Sequence, residues 1–432
     1  MRYSLLRDTV LDDPQLHELD ILVWPEHRRK FVAAAQELGF AARKTGIPGK
    51  EVLAAFDGEN LRLVDVHYAF IQEGLVYLSL PEALRRLRKT PEGHSILSRE
   101  DELLHLFYHN LLGKNHLQEK HLARVKALLA PLPDLAYLKQ RLSHPKIWNC
   151  FEQFILRPET FSKDRKLAGK SAREIRRALM LRSPANWLRW FYHRRLRKRL
   201  HRRRGVHFAF MGVDGAGKST IIRAVQQQLE QAGGVKFYTV YMGPWGQIRS
   251  PFMRLYKKLR LTPPEEDWLG RLREKLQGRE KEHSLPLLLK KLISGKIQGW
   301  LYYFAIYLEF WYRYFREVRP RLRKGAIVLS DRYIYDLKYI YKDRPVEQFK
   351  WLRGLVCRFY PRPDRVVYLQ NDPDTIVRRK PQLNAGQIRQ FQGFYRQALA
   401  AYPVLEVLTD RPPEALARQV VSAIMEKHLQ SA

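Results

Sequence analysis

Residues 207–220 read HFAFMGVDGAGKST and carry the spacing G-x-x-x-x-G-K-[ST], with Gly212, Gly217, Lys218 and Ser219 in its fixed places. Glycines so placed let the backbone curl until several N–H groups face one point. A helix starting there adds its positive dipole end, and the result is a phosphate cradle. Lys218 would reach the β- and γ-phosphates of ATP, and Ser219 would ligate Mg²⁺. The expected ATP-binding residues are Gly212, Asp214, Gly215, Ala216, Gly217, Lys218, Ser219 and Thr220. The flanks suit the motif. Phe208-Ala209-Phe210-Met211 reads as a buried strand, and Ile221-Ile222-Arg223-Ala224-Val225 reads as a helix start.

Two further sets of residues have chemistry in reach. Ala326-Ile327-Val328-Leu329-Ser330 is an apolar strand that runs into Asp331 and Arg332. An acid at the carboxyl end of a parallel strand faces the ligand crevice. Asp331 would hold the water shell of Mg²⁺, and Arg332 would hold an anionic acceptor. A hydroxyl acceptor would instead need a base within hydrogen-bond reach, for which Asp214, Asp331 and Asp336 are available. The other set lies near the start of the chain. Glu18 and Asp20 fall on one face of a strand because strand side chains alternate, and Asp65 lies on a second strand. Three carboxylates from two strands can hold two Mg²⁺ ions for in-line attack on a nucleotide triphosphate.

The elements that must position these residues fall into three stretches. Residues 1–160 mix strands, at Leu19–Val23 and Leu61–Val66, with helical spacing at Phe31–Leu38 and Leu103–Leu112. Residues 161–204 are expected to be a basic amphipathic linker. From 163 onward they hold 17 Lys or Arg against 2 acids, interleaved with Trp187, Trp190, Phe191, Leu196 and Leu200. Residues 205–432 alternate strand and helix. Strands are expected at Val206–Met211, Lys236–Tyr241, Ala326–Ser330, Arg365–Leu369 and Val404–Leu408, with a basic, aromatic insert at about 249–320. Such alternation predicts an α/β fold, a parallel sheet with flanking helices.

The landmarks GVDGAGKST, GAIVLSDRY and VVYLQNDPDTIVRRK resemble those of the thymidylate kinase family over roughly residues 205–430. The resemblance implies a P-loop kinase that moves the γ-phosphoryl of Mg²⁺-bound ATP to a small acceptor, most simply a nucleotide. It implies that Asp214 contacts the acceptor sugar and Arg332 its phosphate, and that Arg378 and Arg379 lie in a lid beside the transferring group. An arginine at that place can be worth ~10³-fold or more. The chain departs from the family where the acceptor would sit. Tyr241-Met242-Gly243-Pro244-Trp245-Gly246 replaces an Arg-Glu-Pro-Gly-Gly run. The acceptor-holding arginine of the preceding helix is replaced by Phe310, with Arg313 one turn later, and the lid continues as Lys380-Pro381-Gln382-Leu383. The ATP half reads as complete and the acceptor half as rebuilt, so a nucleoside, a sugar or a glycolipid stays open as acceptor.

The first 130 residues resemble the nucleotidyltransferase superfamily through Glu18, Asp20 and Asp65 and the runs DVHYAF and DELLHL. That resemblance implies a smaller α+β domain ahead of the kinase, with Mg²⁺ on those carboxylates. Active members carry a Gly-Ser or Gly-Gly pair just upstream. Residues 1–17 contain no glycine, and Ser4 and Arg7 are the nearest substitutes. Active transferase and binding module are both compatible with this. His105 and His109 can share a helix face, and they read as packing or surface residues.

Net charge of +34 implies an anionic partner. Arginines with Trp and Leu at helical spacing suit an anionic membrane surface, and arginine-rich helices also neutralise nucleic-acid phosphates. Two isolated cysteines, Cys150 and Cys357, fit a reducing cytosol rather than a disulfide framework. The expectation is a cytoplasmic kinase, peripheral on the inner face of the membrane if the basic elements bind lipid. The alternatives are a membrane-associated kinase of a sugar or glycolipid hydroxyl, and a nucleic-acid-binding P-loop protein acting on polynucleotide ends.

Overall fold

The computed structural model describes residues 3–6, 18–43, 46–142, 144–197, 204–243, 250–258, 301, 304–341, 344–345 and 350–431. The chain forms two compact units, Met1–Arg203 and Arg204–Ser431. Arg7, Pro244, Trp245, Gly246 and most of the aromatic insert lie outside the described residues.

In the first unit the described residues form a seven-stranded mixed sheet. Its order is Ala41–Arg43, Lys50–Phe56, Leu61–His67, Glu18–Val23, Tyr3–Leu5, Ser95–Ile96 and Arg88–Lys89. Strand alternation divides the sheet's faces. Leu5, Ile21, Val23, Leu53 and Val66 pack on one face, where Phe31 and Ala35 of helix Arg28–Glu37 cover them. Asp20 and Asp65, register partners on parallel strands, point to the other. Helices follow from Arg99 onward. The first, Arg99–Lys114, is capped by Ser98, whose hydroxyl accepts from the Asp101 N–H. Its Leu103, Phe107 and Leu111 meet Phe151, Phe154 and Phe161 in one core.

The segment expected to be a linker is built into this unit instead. Helix Arg165–Arg182 buries Ala168, Ala172, Ile175, Ala178 and Leu179 against that core. These apolar residues recur at three- and four-residue spacing while the arginines between them take the outer positions. Composition alone hides that periodicity. Helix Pro184–Phe191 is fastened in turn by Asn186. Its side-chain amide donates to the carbonyls of Val76 and Leu179 at 3.2 and 3.0 Å, and its Oδ1 accepts from the Val76 N–H at 3.1 Å. Gly74, at φ +84°, lies under this helix. A Cβ there would stand 2.5 Å from the Arg189 carbonyl, so only glycine lets the two backbones approach.

In the second unit the described residues form a five-stranded sheet in the order Phe237–Tyr241, Ile327–Asp331, His207–Met211, Arg365–Gln370, Val404–Leu408. Every pair is parallel. The fold is α/β, a parallel sheet flanked by helices, consistent with a P-loop kinase. The central strand is buried along its whole length, as expected where helices cover both faces. Helix Lys218–Ala232 leaves directly from the loop that follows it and packs on helix Pro413–Gln430. The third strand ends one residue later than its apolar run predicts, so Asp331 is its last residue. Strands from both halves of the sheet border His207–Met211. The crevice at its carboxyl end is therefore the place where such sheets bind ligands.

Candidate active site

The loop between His207–Met211 and Lys218–Ala232 has the backbone that its sequence calls for. Gly215 and Gly217 lie at φ +90° and +89°, and Gly212 lies at +150°. Gly212 is also crowded, since a Cβ there would stand 2.5 Å from the Leu369 carbonyl oxygen. We expect Gly212→Ala to cost about 1–3 kcal/mol of stability through backbone strain and to shift the loop, weakening ATP binding. Urea unfolding and nucleotide titration of the variant check both effects.

Lys218 is buried at the helix start. Its Nζ donates to the carbonyls of Gly212 and Val213 at 2.8 and 3.0 Å and lies 3.3 Å from Asp214 Oδ1. Burial, and then the Arg332 charge, lower its pKa below the usual lysine value. Arg332 sits at φ +64°, which is rare for a side chain of this size. It bonds Asp214 through one nitrogen, and through the other it donates to Asp336 Oδ2 at 3.2 Å. The Tyr395 hydroxyl donates to Asp336 Oδ1 at 2.8 Å, and Lys380 Nζ donates to Asp214 Oδ2 at 3.1 Å. Asp214 is thus held by three cations. Burial would raise its pKa, but Lys218, Arg332 and Lys380 outweigh burial and bring it down to about 2.

The depressed Asp214 pKa has a sign that can be tested. A carboxylate held low in the folded state contributes stability above its unfolded pKa, and that stability is lost as pH falls towards the folded value. The window runs from about 4, the unfolded value, down to about 2. We expect Asp214→Asn to remove about 2 kcal/mol at neutral pH and to flatten the stability curve across that window. Urea midpoints of wild type and variant at a series of acid pH values give the difference.

Asp331 behaves in the opposite way. Burial raises its pKa, partly offset by Lys218 and Arg332, and its Oδ1 is buried without a hydrogen-bond partner. Asp331 and Ser219 line the same cavity, and an orphaned carboxylate oxygen there fits a hydrated Mg²⁺. When bound, such an ion screens the phosphate charge and orients the triphosphate.

The cavity has a volume of about 630 Å³. The loop, Asp331 and Arg332 line it, and so do Arg379 and Lys380. The neighbouring Arg378 turns away and donates to Thr375 Oγ1 at 3.1 Å on its own helix, Pro373–Arg379. The structure does not bring Arg313 to the cavity wall. That residue is buried, with its Nε on Glu309 Oε1 at 2.8 Å and NH1 on the Gly243 carbonyl at 2.8 Å. It holds the turn after strand Phe237–Tyr241. The structure adds Tyr241, Thr409, Arg411, Pro413 and Leu416 to the wall. Thr409 to Pro413 follow the last strand in a turn-rich run, and a turn at the carboxyl end of a parallel strand was the available signal. Asn371 ties that loop down by donating to the Thr409 carbonyl at 2.7 Å.

Among the described residues the acidic cluster of the first unit keeps Asp20 and Asp65 and adds His67. Asp20, Asp65 and His67 offer ligand atoms within 4.8 Å of one another, and the side chain of Glu18 lies outside the described part. His67 Nε2 is buried without a hydrogen bond, 3.6 Å from Asp20 Oδ1. Lys50 pairs with Asp65. Two carboxylates and an imidazole fit one divalent cation, which would compete with the Lys50 ammonium for Asp65. The Ser4 hydroxyl is spent on the neighbouring Leu5 carbonyl at 3.1 Å. His105 is buried and shares a hydrogen bond of 2.9 Å with the Tyr77 hydroxyl, while the His109 ring lies 5.6 Å from that of His105.

No family model matches the chain. The probable thymidylate kinase of Pyrobaculum aerophilum is 27% identical over 227 residues, which is 50% of this chain and 94% of that protein. The probable thymidylate kinase of Pyrobaculum calidifontis is 26% identical over 238 residues, 52% of this chain and 98% of that protein. About half of the chain thus has a distant kinase-like relationship to these proteins.

Proposed function

We propose that the second unit is an ATP phosphotransferase that moves the γ-phosphoryl of Mg²⁺-bound ATP to a small phosphate-bearing acceptor, most simply a nucleotide. The observation that carries this reading is the convergence of Lys218, Asp331, Arg332, Arg379 and Lys380 on one cavity at the switch point of the sheet. Phosphoryl transfer is mostly positioning plus charge neutralisation, and these groups supply both. Lys218 and the loop N–H groups hold the triphosphate. Arg332 receives the acceptor anion. Arg379 and Lys380 stand beside the transferring group from the helix that follows the fourth strand.

The state of the carboxylates favours an anionic acceptor over a hydroxyl. Asp214 is taken by three cations, and Asp336 by Arg332 and Tyr395. Asp331 has the orphaned oxygen, which suits the metal. A hydroxyl acceptor needs a base, and a phosphate acceptor needs the arginines already present. The test is transfer from γ-labelled ATP to a panel of nucleotides, nucleosides, sugars and lipid-linked sugars. Transfer confined to phosphate-bearing acceptors supports the reading. Transfer to a sugar or lipid hydroxyl with none to nucleotides sinks it.

A second reading concerns the first unit, where Asp20, Asp65 and His67 support a divalent-cation site in a nucleotidyltransferase-like domain. Asp20→Asn is expected to weaken Mn²⁺ binding about 10- to 100-fold, read by the loss of the free-ion paramagnetic resonance signal. Unchanged binding places the ion elsewhere.

A further inference from the structure

Helix Pro184–Phe191 is anchored on one side and bare on the other. Asn186 and Trp190 face the body of the first unit. On the outer side Trp187 is 52% exposed, Leu188 61% and Phe191 41%, and Leu181, just before the corner into this helix, is 83% exposed. The Trp187 and Phe191 rings stack at 5.9 Å, so the outer side is one apolar surface and not a set of separate side chains. Positions 184, 187, 188 and 191 are spaced for a single helix face. An apolar face turned to water marks an interaction site.

The charge around this face has one sign. From Arg165 to Arg197 the chain has 11 Lys or Arg and a single acid, Glu174. Arg177, Arg182, Arg194 and Arg195 are exposed, the last two in the turn that continues the apolar helix. Among the described residues no helix is long and apolar enough to cross a membrane.

We propose that this face docks on the surface of an anionic lipid bilayer, with Trp187, Leu188, Phe191 and Leu181 entering the headgroup boundary and Arg182, Arg194 and Arg195 taking the lipid charges. The combination matches that surface on both counts: apolar side chains for the acyl boundary and arginines for anionic headgroups. A second copy of the chain fits it poorly, because each copy carries a net charge of +34. A nucleic acid would use the arginines but leave Leu181 and Leu188, the most exposed apolar side chains of this face, without a partner. This inference stands apart from the kinase reading, since it rests on the first unit alone.

The test is sedimentation of the full chain with vesicles of phosphatidylserine and phosphatidylcholine, and with phosphatidylcholine alone. The protein should pellet with the anionic vesicles, less so as salt rises, and stay in solution with the neutral ones. The variant Trp187→Ser, Leu188→Ser, Phe191→Ser should lose at least about tenfold in partitioning, since it removes most of the inserted apolar area. Its unfolding temperature should match wild type because these side chains are exposed. The variant Arg182→Gln, Arg194→Gln, Arg195→Gln keeps the apolar face and should lose about fivefold for each charge removed. Equal pelleting with neutral vesicles overturns the proposal. So does a serine variant that binds like wild type. A vesicle-free dimer broken by the serine variant assigns the face to a second copy, and polynucleotide binding lost in the same variant assigns it to nucleic acid. Either result also overturns it.

Discussion

Lys218→Ala should lower kcat for phosphoryl transfer by at least about 10²-fold and leave the fold standing. The ammonium is buried at the start of the helix with its three donors turned to the loop carbonyls and Asp214. A triphosphate in the loop would replace these partners, and the charge would then be worth more than in water because the site is shielded. Removing the lysine leaves Asp214 with Arg332 and Lys380, so no buried carboxylate is stranded. Lys218→Arg should not restore the rate, because a planar guanidinium cannot take the place of a compact ammonium. Labelled-ATP transfer beside a thermal melt reads both effects. A Lys218→Ala enzyme with a tenth or more of wild-type kcat would remove the phosphate-cradle reading.

Arg332 should show a loss of a different kind. It joins Asp214 to Asp336, and the Asp336 side chain is only 2% exposed. Arg332→Ala strands Asp336 with Tyr395 as its remaining partner in the network, at an expected cost of about 3–5 kcal/mol. Arg332→Gly should be the milder variant by about 1 kcal/mol, because φ +64° costs glycine nothing. Both variants lose the charge, so both should lower kcat/KM for the acceptor at least about 10²-fold while the KM for ATP stays within a few-fold. Urea unfolding ranks the two by stability, and steady-state kinetics with each substrate varied separates the roles. If both variants raise the KM for ATP and leave the acceptor KM unchanged, Arg332 belongs to the ATP half and the acceptor assignment fails.

The parts of the site that could be read in the sequence are those made by one short stretch of chain. The glycine-rich loop is such a case: the strand, the glycines, Lys218 and the helix start are consecutive, and local backbone geometry is enough to assemble them. The three inner strands of the second unit were legible for a related reason. A strand buried on both faces must be apolar along its length, and runs such as Phe208–Met211 stand out against the charged helices. Arg313 shows the limit. A basic residue near a family position reads as a ligand, but burial and the pairing with Glu309 give it the task of holding a turn.

By itself the sequence determined the strand–helix alternation of the α/β fold, the glycine-rich loop and the acid–arginine pair at Asp331 and Arg332, because each is written in a short run of chain. Tertiary structure alone decided which cations face Asp214, that Lys380 and Arg411 line the same cavity, and that Arg379 does so where Arg378 does not. It also decided that helix Arg165–Arg182 is core rather than linker. The reason is the same in each case: these arrangements join residues that are distant along the chain. Their proximity is fixed by the order of strands in the sheet and by which helix face finds apolar cover, and neither is recorded in the identity of any single residue.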